Sequence, residues 1–174
     1  MILLSLLISI LCLAPAHSAT PAKIGVERGL GLGIILGEPT GFTGKTWQGQ
    51  GSKRAIDFGL AYSFGSFVLV YGDYLFHFPG AFKGSSRERF LAELSPYVGV
   101  GGVLLIATGG PKADRKYFAA STSSIGLSFR IPLGVEWLPA DPPLGVFVEV
   151  VPGVGFVPRT FALLQAGIGI RYYF

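Results

Sequence analysis

The sequence is short of charge. Asp, Glu, Lys and Arg make up 14% of its 174 residues, against a usual share of about 25%. It has one cysteine, Cys12, and two histidines. A single cysteine excludes a disulfide scaffold. His77 is the only histidine beyond the first segment, so no His/Cys metal cluster can be assembled. Collagen's strict glycine period is missing too. Long apolar runs are also scarce. The stretch 2–13 is about a dozen residues, too short for a spanning helix of ~20. Beyond the first segment, the longest charge-free stretch is 94–111, and Pro96, Gly99, Gly101, Gly102, Gly109 and Gly110 interrupt it. A bundle of membrane helices is therefore excluded.

What is present is hydrophobicity without long runs. Half of the chain is hydrophobic and 26 residues are glycine, about twice the usual ~7% share. Such a chain is too apolar to be disordered. The first segment has the form of an export signal. An apolar stretch precedes the small residues Ala14, Ala16, Ser18 and Ala19. We read residues 1–19 as a cleavable signal peptide, with Cys12 as apolar filler, and residues 20–174 as one domain. A mature chain without cysteine suits an oxidising destination.

After the signal the hydrophobicity alternates. Ile125, Leu127, Phe129, Ile131, Leu133, Val135 and Trp137 are separated by Gly126, Ser128, Arg130, Pro132, Gly134 and Glu136. Successive side chains of a strand point to opposite faces. A soluble strand alternates for ~5–6 residues, whereas one crossing a bilayer needs ~9–11. Length therefore favours the membrane. Strands are expected at roughly 27–37, 41–48, 54–64, 67–78, 94–106, 123–137, 144–154 and 161–174. Turn residues divide them, among them Pro39, Gly65, Pro139, Pro142 and Pro143. A short amphipathic helix is expected within 85–94.

Such strands must close in lipid, because an open edge strands its backbone polar groups. The expected fold is all-β: an antiparallel eight-stranded transmembrane up-and-down β-barrel. Side chains fill a lumen of that size. Parity places Glu27, Lys45, Asp57, Asp73, His77, Arg130, Glu136, Glu149 and Arg171 on the inner face. Buried charges are costly alone, so they should pair and hold the barrel shut. Gly29, Gly31, Gly33, Gly167 and Gly169 leave room opposite for larger residues. If strand one ascends from the periplasm, Trp47, Phe76, Phe78, Trp137 and Phe174 share the periplasmic aromatic girdle. Phe42, Tyr62, Phe64, Phe67 and Phe161 mark the other rim. Trp47, however, shares its parity with Lys45, so one is displaced or a bulge intervenes. The 79–93 connection would be periplasmic, and long for that side.

A lipid-modifying site of the Ser-His-acid kind would have to use His77, since a nucleophile needs a base within hydrogen-bond reach. No serine lies at suitable spacing on an adjacent strand. The run Gly29-Leu30-Gly31-Leu32-Gly33-Ile34 lies within a strand with no helix after it, so it is not a dinucleotide fingerprint. No cofactor and no catalytic or metal site are expected. The net charge of +4 does not imply nucleic acid. Lys112, Arg115 and Lys116, and Lys83, Arg87 and Arg89, are short loop clusters suited to anionic headgroups or lipopolysaccharide.

These features together resemble the small eight-stranded outer-membrane barrels of the OmpA/OmpX type. The last strand ends in Phe174, with Tyr172, Ile170 and Ile168 at alternating positions before it. The resemblance implies that these four residues form the signal read by the barrel-assembly machinery. The segments 36–47, 73–78 and 132–137 resemble an uncharacterised family of bacterial outer-membrane barrels, which implies fold and location without an activity. The expected product is a monomer in the outer membrane, in contact with lipid and lipopolysaccharide. Its role would be structural or one of envelope interaction, without catalysis. The alternatives are a narrow pore or carrier of a small hydrophobic ligand, and a lipid A-modifying enzyme using His77.

Overall fold

The structure is a computed structural model, and it describes residues 28–49, 53–63, 67–82, 89–107 and 125–174. The expected signal peptide, Glu27, Phe64, Gly65 and the loop cations Lys83, Arg87, Lys112, Arg115 and Lys116 lie outside those residues. The strands are β1 (Leu30–Glu38), β2 (Thr40–Trp47), β3 (Arg54–Ser63), β4 (Phe67–His77), β5 (Leu94–Ala107), β6 (Ile125–Arg130), β7 (Leu133–Trp137), β8 (Leu144–Val157) and β9 (Phe161–Tyr173). One short helix, α1 (Arg89–Glu93), precedes β5. No helix among the described residues is long and apolar enough to cross a membrane.

Every pairing is antiparallel, and the sheet closes on itself. β9 pairs with β1 from Gly31↔Tyr173 to Glu38↔Ala166. Closure leaves no edge strand to expose unpaired amides. β6 and β7 are two halves of one stave, both lying between β5 and β8. The ring therefore has eight staves. The interruption falls at Pro132, which has no N–H to give to a ladder. Neighbouring strands bridge the gap. Ile131 N–H donates to Pro152 O at 2.9 Å, and Gly99 N–H donates to Pro132 O at 2.8 Å. The expected 123–137 strand is thus one stave in two ladder segments. The β1–β2 turn is tight: Thr40 Oγ1 donates to the carbonyl of Gly37 at 2.9 Å. Gly37 has a φ of 134°, a conformation that disfavours a side chain.

The two faces of the wall differ completely. Outward positions are apolar along whole strands: Leu30, Leu32, Ile34 and Leu36 on β1, and Leu164, Ile168, Ile170 and Tyr172 on β9 are all exposed. Inward positions are buried. Their middle level is polar, and an apolar cluster lies at each end. One cluster, at the end where β9 finishes, contains Trp47, Ala55, Leu75, Tyr97, Leu138 and Tyr173. The other contains Ala61, Phe67, Leu69, Tyr71, Val103, Leu105, Phe161 and Leu163. The first is the lower cluster and the second the upper cluster.

Three aromatic placements depart from expectation. Trp47 is 6% exposed and belongs to the lower cluster, not to an outer girdle. Its shared parity with Lys45 is real, and no bulge separates the two: the β2–β3 register runs unbroken through Lys45↔Asp57 and Trp47↔Ala55. Phe67 and Phe161 likewise face inward, in the upper cluster. By contrast, Phe42, Phe76, Phe78 and Phe174 are exposed.

Inward glycines explain how large aromatic rings fit so narrow a tube. Each of several rings lies over the glycine directly opposite it on the next strand. Tyr173 covers Gly31, Tyr71 covers Gly59, Tyr97 covers Gly134, Phe147 covers Gly169 and Phe161 covers Gly155. A Cβ at Gly59 would stand 2.5 Å from three atoms of the Tyr71 side chain. Gly33 serves another purpose, since its missing Cβ admits the backbone of Ile170 and Arg171 at the closing seam.

Candidate functional site: the polar belt of the lumen

Inward alternation brings the charged residues into the lumen, from His77 among the lower-cluster rings of Trp47 and Tyr97 to Arg130 beside Tyr71 of the upper cluster. Lys45, Asp57, Asp73, His77, Arg130, Glu136, Glu149 and Arg171 are each no more than 3% exposed. They arrive from β2, β3, β4, β6, β7, β8 and β9. Two groups can be distinguished.

The first is centred on Arg171 and Glu136. Arg171 Nη2 donates to both Asp57 oxygens at 2.9 Å and to Thr43 Oγ1 at 2.7 Å. Its guanidinium carbon stands 3.8 Å from the centroid of the Phe147 ring, a cation–π stack. Arg171 Nη1 lies 3.7 Å from Glu136 Oε1. Glu136 also accepts from Tyr173 OH at 2.8 Å and from Lys45 Nζ. Lys45 Nζ is 2.7 Å from His77 Nε2 and sits over the Trp47 ring at 4.5 Å. In this group the two cations match the two carboxylates.

The second group is centred on Arg130. Its Nη2 lies 3.1 Å from Asp73 Oδ2 and 3.7 Å from Glu149 Oε1. Its Nη1 donates to Gln165 Oε1 at 3.2 Å. Glu149 accepts from Tyr97 OH at 2.8 Å, and Arg130 lies 4.3 Å above the Tyr71 ring. Thr43, Tyr97, Gln165 and Tyr173 were absent from the inner polar set expected from sequence. Their parity would have found them, but uncharged side chains gave no reason to single them out.

A charge taken from water into so dry a place loses several kcal/mol of solvation, which only close and well-aligned partners restore. The first group supplies such partners to Arg171, Asp57 and Glu136, whereas in the second a single cation, Arg130, faces two carboxylates and neither Asp73 oxygen accepts a hydrogen bond. His77 is held between Trp47, at 4.6 Å between ring centroids, and Tyr97, at 5.1 Å. Among the described residues, no hydroxyl bonds to either of its ring nitrogens. No three His, Cys, Asp or Glu among the described residues could hold a metal ion.

Known structures bear on the architecture. The N-terminal β-barrel domain of Pseudomonas aeruginosa OprF is similar over 85% of this chain and 98% of its own, with 15% identity and a TM-score of 0.50. The fold is that of the small eight-stranded outer-membrane barrels. The outer membrane enzyme PagL (13% identity, 84% of this chain and 100% of its own, TM-score 0.47) is also similar. So is Neisserial surface protein A (12% identity, 83% and 94%, TM-score 0.39). No family model matches the chain, and no curated protein does.

Ile168, Ile170, Tyr172 and Phe174 form an exposed row down the outer face of β9. The Tyr172 and Phe174 rings meet edge to face at 5.1 Å. Trp137 faces outward at the lower rim, where its indole N–H donates to Glu93 Oε2 at 3.0 Å.

Proposed function

We propose that this chain is an integral outer-membrane protein whose barrel is a closed, inert support. Its role is structural or one of contact with other envelope components. It carries no catalytic chemistry of its own. The observation that carries the reading is the filling of the lumen. A buried network of charged and polar side chains, with apolar clusters towards both ends, fills a tube whose outer face carries long apolar rows, as on β1 and β9. A conducting pore needs a continuous wet path, and here Phe67, Leu69, Leu105 and Leu163 above and Trp47, Leu75 and Leu138 below are all buried. His77 meets lipid at neither face, which speaks against its use on a membrane substrate.

Fractionation tests location. The protein is expected in the outer-membrane fraction, with gel mobility that changes on boiling. Recovery in the soluble fraction would overturn the reading. Planar-bilayer recording tests closure, with no stable unitary steps expected. Reproducible single-channel currents would replace the inert barrel with a pore.

A further inference from the structure

The connection between β4 and β5 spans residues 78–93, far more than a hairpin needs. Its described C-terminal part is α1, and the place where α1 docks is informative. Trp137 belongs to the outward row of β7, because it follows Leu133 and Val135 and alternates with the inward Glu136. Yet Trp137 is the side chain that α1 engages. Its indole N–H donates to Glu93 Oε2 at 3.0 Å. Its ring stands 5.9 Å from that of Phe90, tilted by 44°. The backbone N–H of Leu138 donates to Glu93 O at 2.9 Å. The helix is therefore fastened to the outside of the wall at the lower rim. Leu138 and Tyr173 belong to the apolar cluster inside that end of the barrel.

Two further facts say what α1 meets there. Phe90 remains 56% exposed despite its contact with Trp137. It also continues an existing apolar surface. Leu94, next after the helix, pairs with Trp137 in the β5–β7 ladder, and Phe78 and Phe174 are 51% and 71% exposed at the same rim. A helix of five residues has no stability alone in water, so external contacts must hold it. Trp137 supplies an amphipathic ring of the type that settles at the headgroup level.

We propose that α1 is an interfacial foot. It lies along the outer wall at the boundary of headgroups and acyl chains, with Phe90 inserted into phospholipid beside Trp137. The partner is the bilayer itself, continuous with the lipid around β5 and β7. The proposal rests on the reading of the barrel as a membrane-spanning one, and its test separates the two.

A nitroxide is placed at position 90 (Phe90→Cys) in a full-length Cys12→Ser background, in vesicles of phosphatidylethanolamine and phosphatidylglycerol. Collision with oxygen, which concentrates in lipid, is compared with collision with an aqueous nickel chelate. Ile168→Cys on the outer face and Gln48→Cys in the β2–β3 turn give the lipid and water limits. Position 90 is expected to favour oxygen, at a depth between the two. Preference for nickel at 90, with oxygen preferred at 168, overturns the foot and leaves the barrel reading intact. Protection of 90 from both reagents means a protein partner, such as a second copy, and also overturns it. Preference for nickel at 168 removes the membrane reading itself. A variant free of labels guards against misfolding. With Trp47→Phe, the remaining Trp137 emission should be quenched more by lipids brominated near the headgroup than by those brominated near the chain end. The reverse order would overturn the proposal.

Discussion

Gly59 and Gly72 permit a direct comparison of the two faces of one wall. Both lie in strands, and neither has a positive φ. Replacement by alanine removes similar backbone entropy from the unfolded chain, worth about 0.4–1 kcal/mol of stabilisation where the site accepts a Cβ. At Gly72, which faces outward, the new Cβ would meet nothing within 4 Å. At Gly59 it would stand 2.5 Å from Tyr71 Cε1, Cζ and OH. Ordinary carbon contacts are ~3.5–4.0 Å, so the ring must withdraw by roughly 1 Å. It has nowhere to go, because Arg130 lies 4.3 Å from its centroid and the upper cluster surrounds it. Overpacking of this kind costs about 1–3 kcal/mol. The entropy gain is common to both variants, so Gly59→Ala should be less stable than Gly72→Ala by roughly that 1–3 kcal/mol. Equilibrium unfolding by urea in detergent micelles, followed by tryptophan emission, measures the gap. In a Tyr71→Ala background the gap should collapse, since the clash is with that ring. Equal stability of the two alanine variants would refute the ring-over-glycine account. So would a gap that persists without Tyr71.

Glu136→Gln should destabilise the barrel by about 3–5 kcal/mol, because it leaves Lys45 and part of Arg171 without their counter-charge. Unfolding midpoints would show it, and a loss below ~1 kcal/mol would mean that water supplies the missing partner. Val148→Arg puts a charge on the outward face of β8 and should cost about 2–4 kcal/mol if it lies at the bilayer midplane. A neutral outcome in vesicles would argue against lipid contact there. In Trp137→Phe protein the emission of Trp47 should resist aqueous acrylamide, and efficient quenching would place Trp47 outside the lumen. Phe174→Ala should lower the amount of barrel assembled in cells while leaving refolding in micelles intact. Unchanged cellular assembly would remove Phe174 from the assembly signal.

Much of this was legible from parity. Lys45, Asp57, Asp73, Glu136 and Arg171 could be placed inside because a strand's period is two and lipid demands one apolar face. The same rule was right about Trp47, and residue type misled. Tryptophan is common at membrane interfaces, so a girdle seemed its place, whereas its phase with Lys45 pointed inward. Phe67 and Phe161 repeat that lesson. The pairing of charges was out of reach, because Arg171 meets Asp57 and Arg130 meets Asp73 only through the stagger of strands around the ring. Ring-over-glycine pairing was hidden for the same reason. Gly31, Gly167 and Gly169 could be read as spacers, but Tyr173 and Phe147 as their covers require the register. The docking of α1 on Trp137 depends on tertiary contacts that the local sequence of 85–94 does not encode.

The aromatic–glycine pairs also bear on how the chain finds one structure. A slip of two residues between neighbouring staves would keep the outer apolar rows facing lipid and the lumen charges facing inward. The surrounding solvent cannot tell such a slipped barrel from the correct one. The interior can. Moved by one pleat, Tyr71 would leave Gly59 and meet the side chain of Asp57 or Ala61, while Arg171 would leave the carboxylate it clamps. Recognition between strands thus falls to a code written on the inside: rings and hollows that fit one way, with charges as the check. In most proteins the core supplies stability and the surface supplies identity. This barrel reverses that division, and its few charges act as the key to its own assembly.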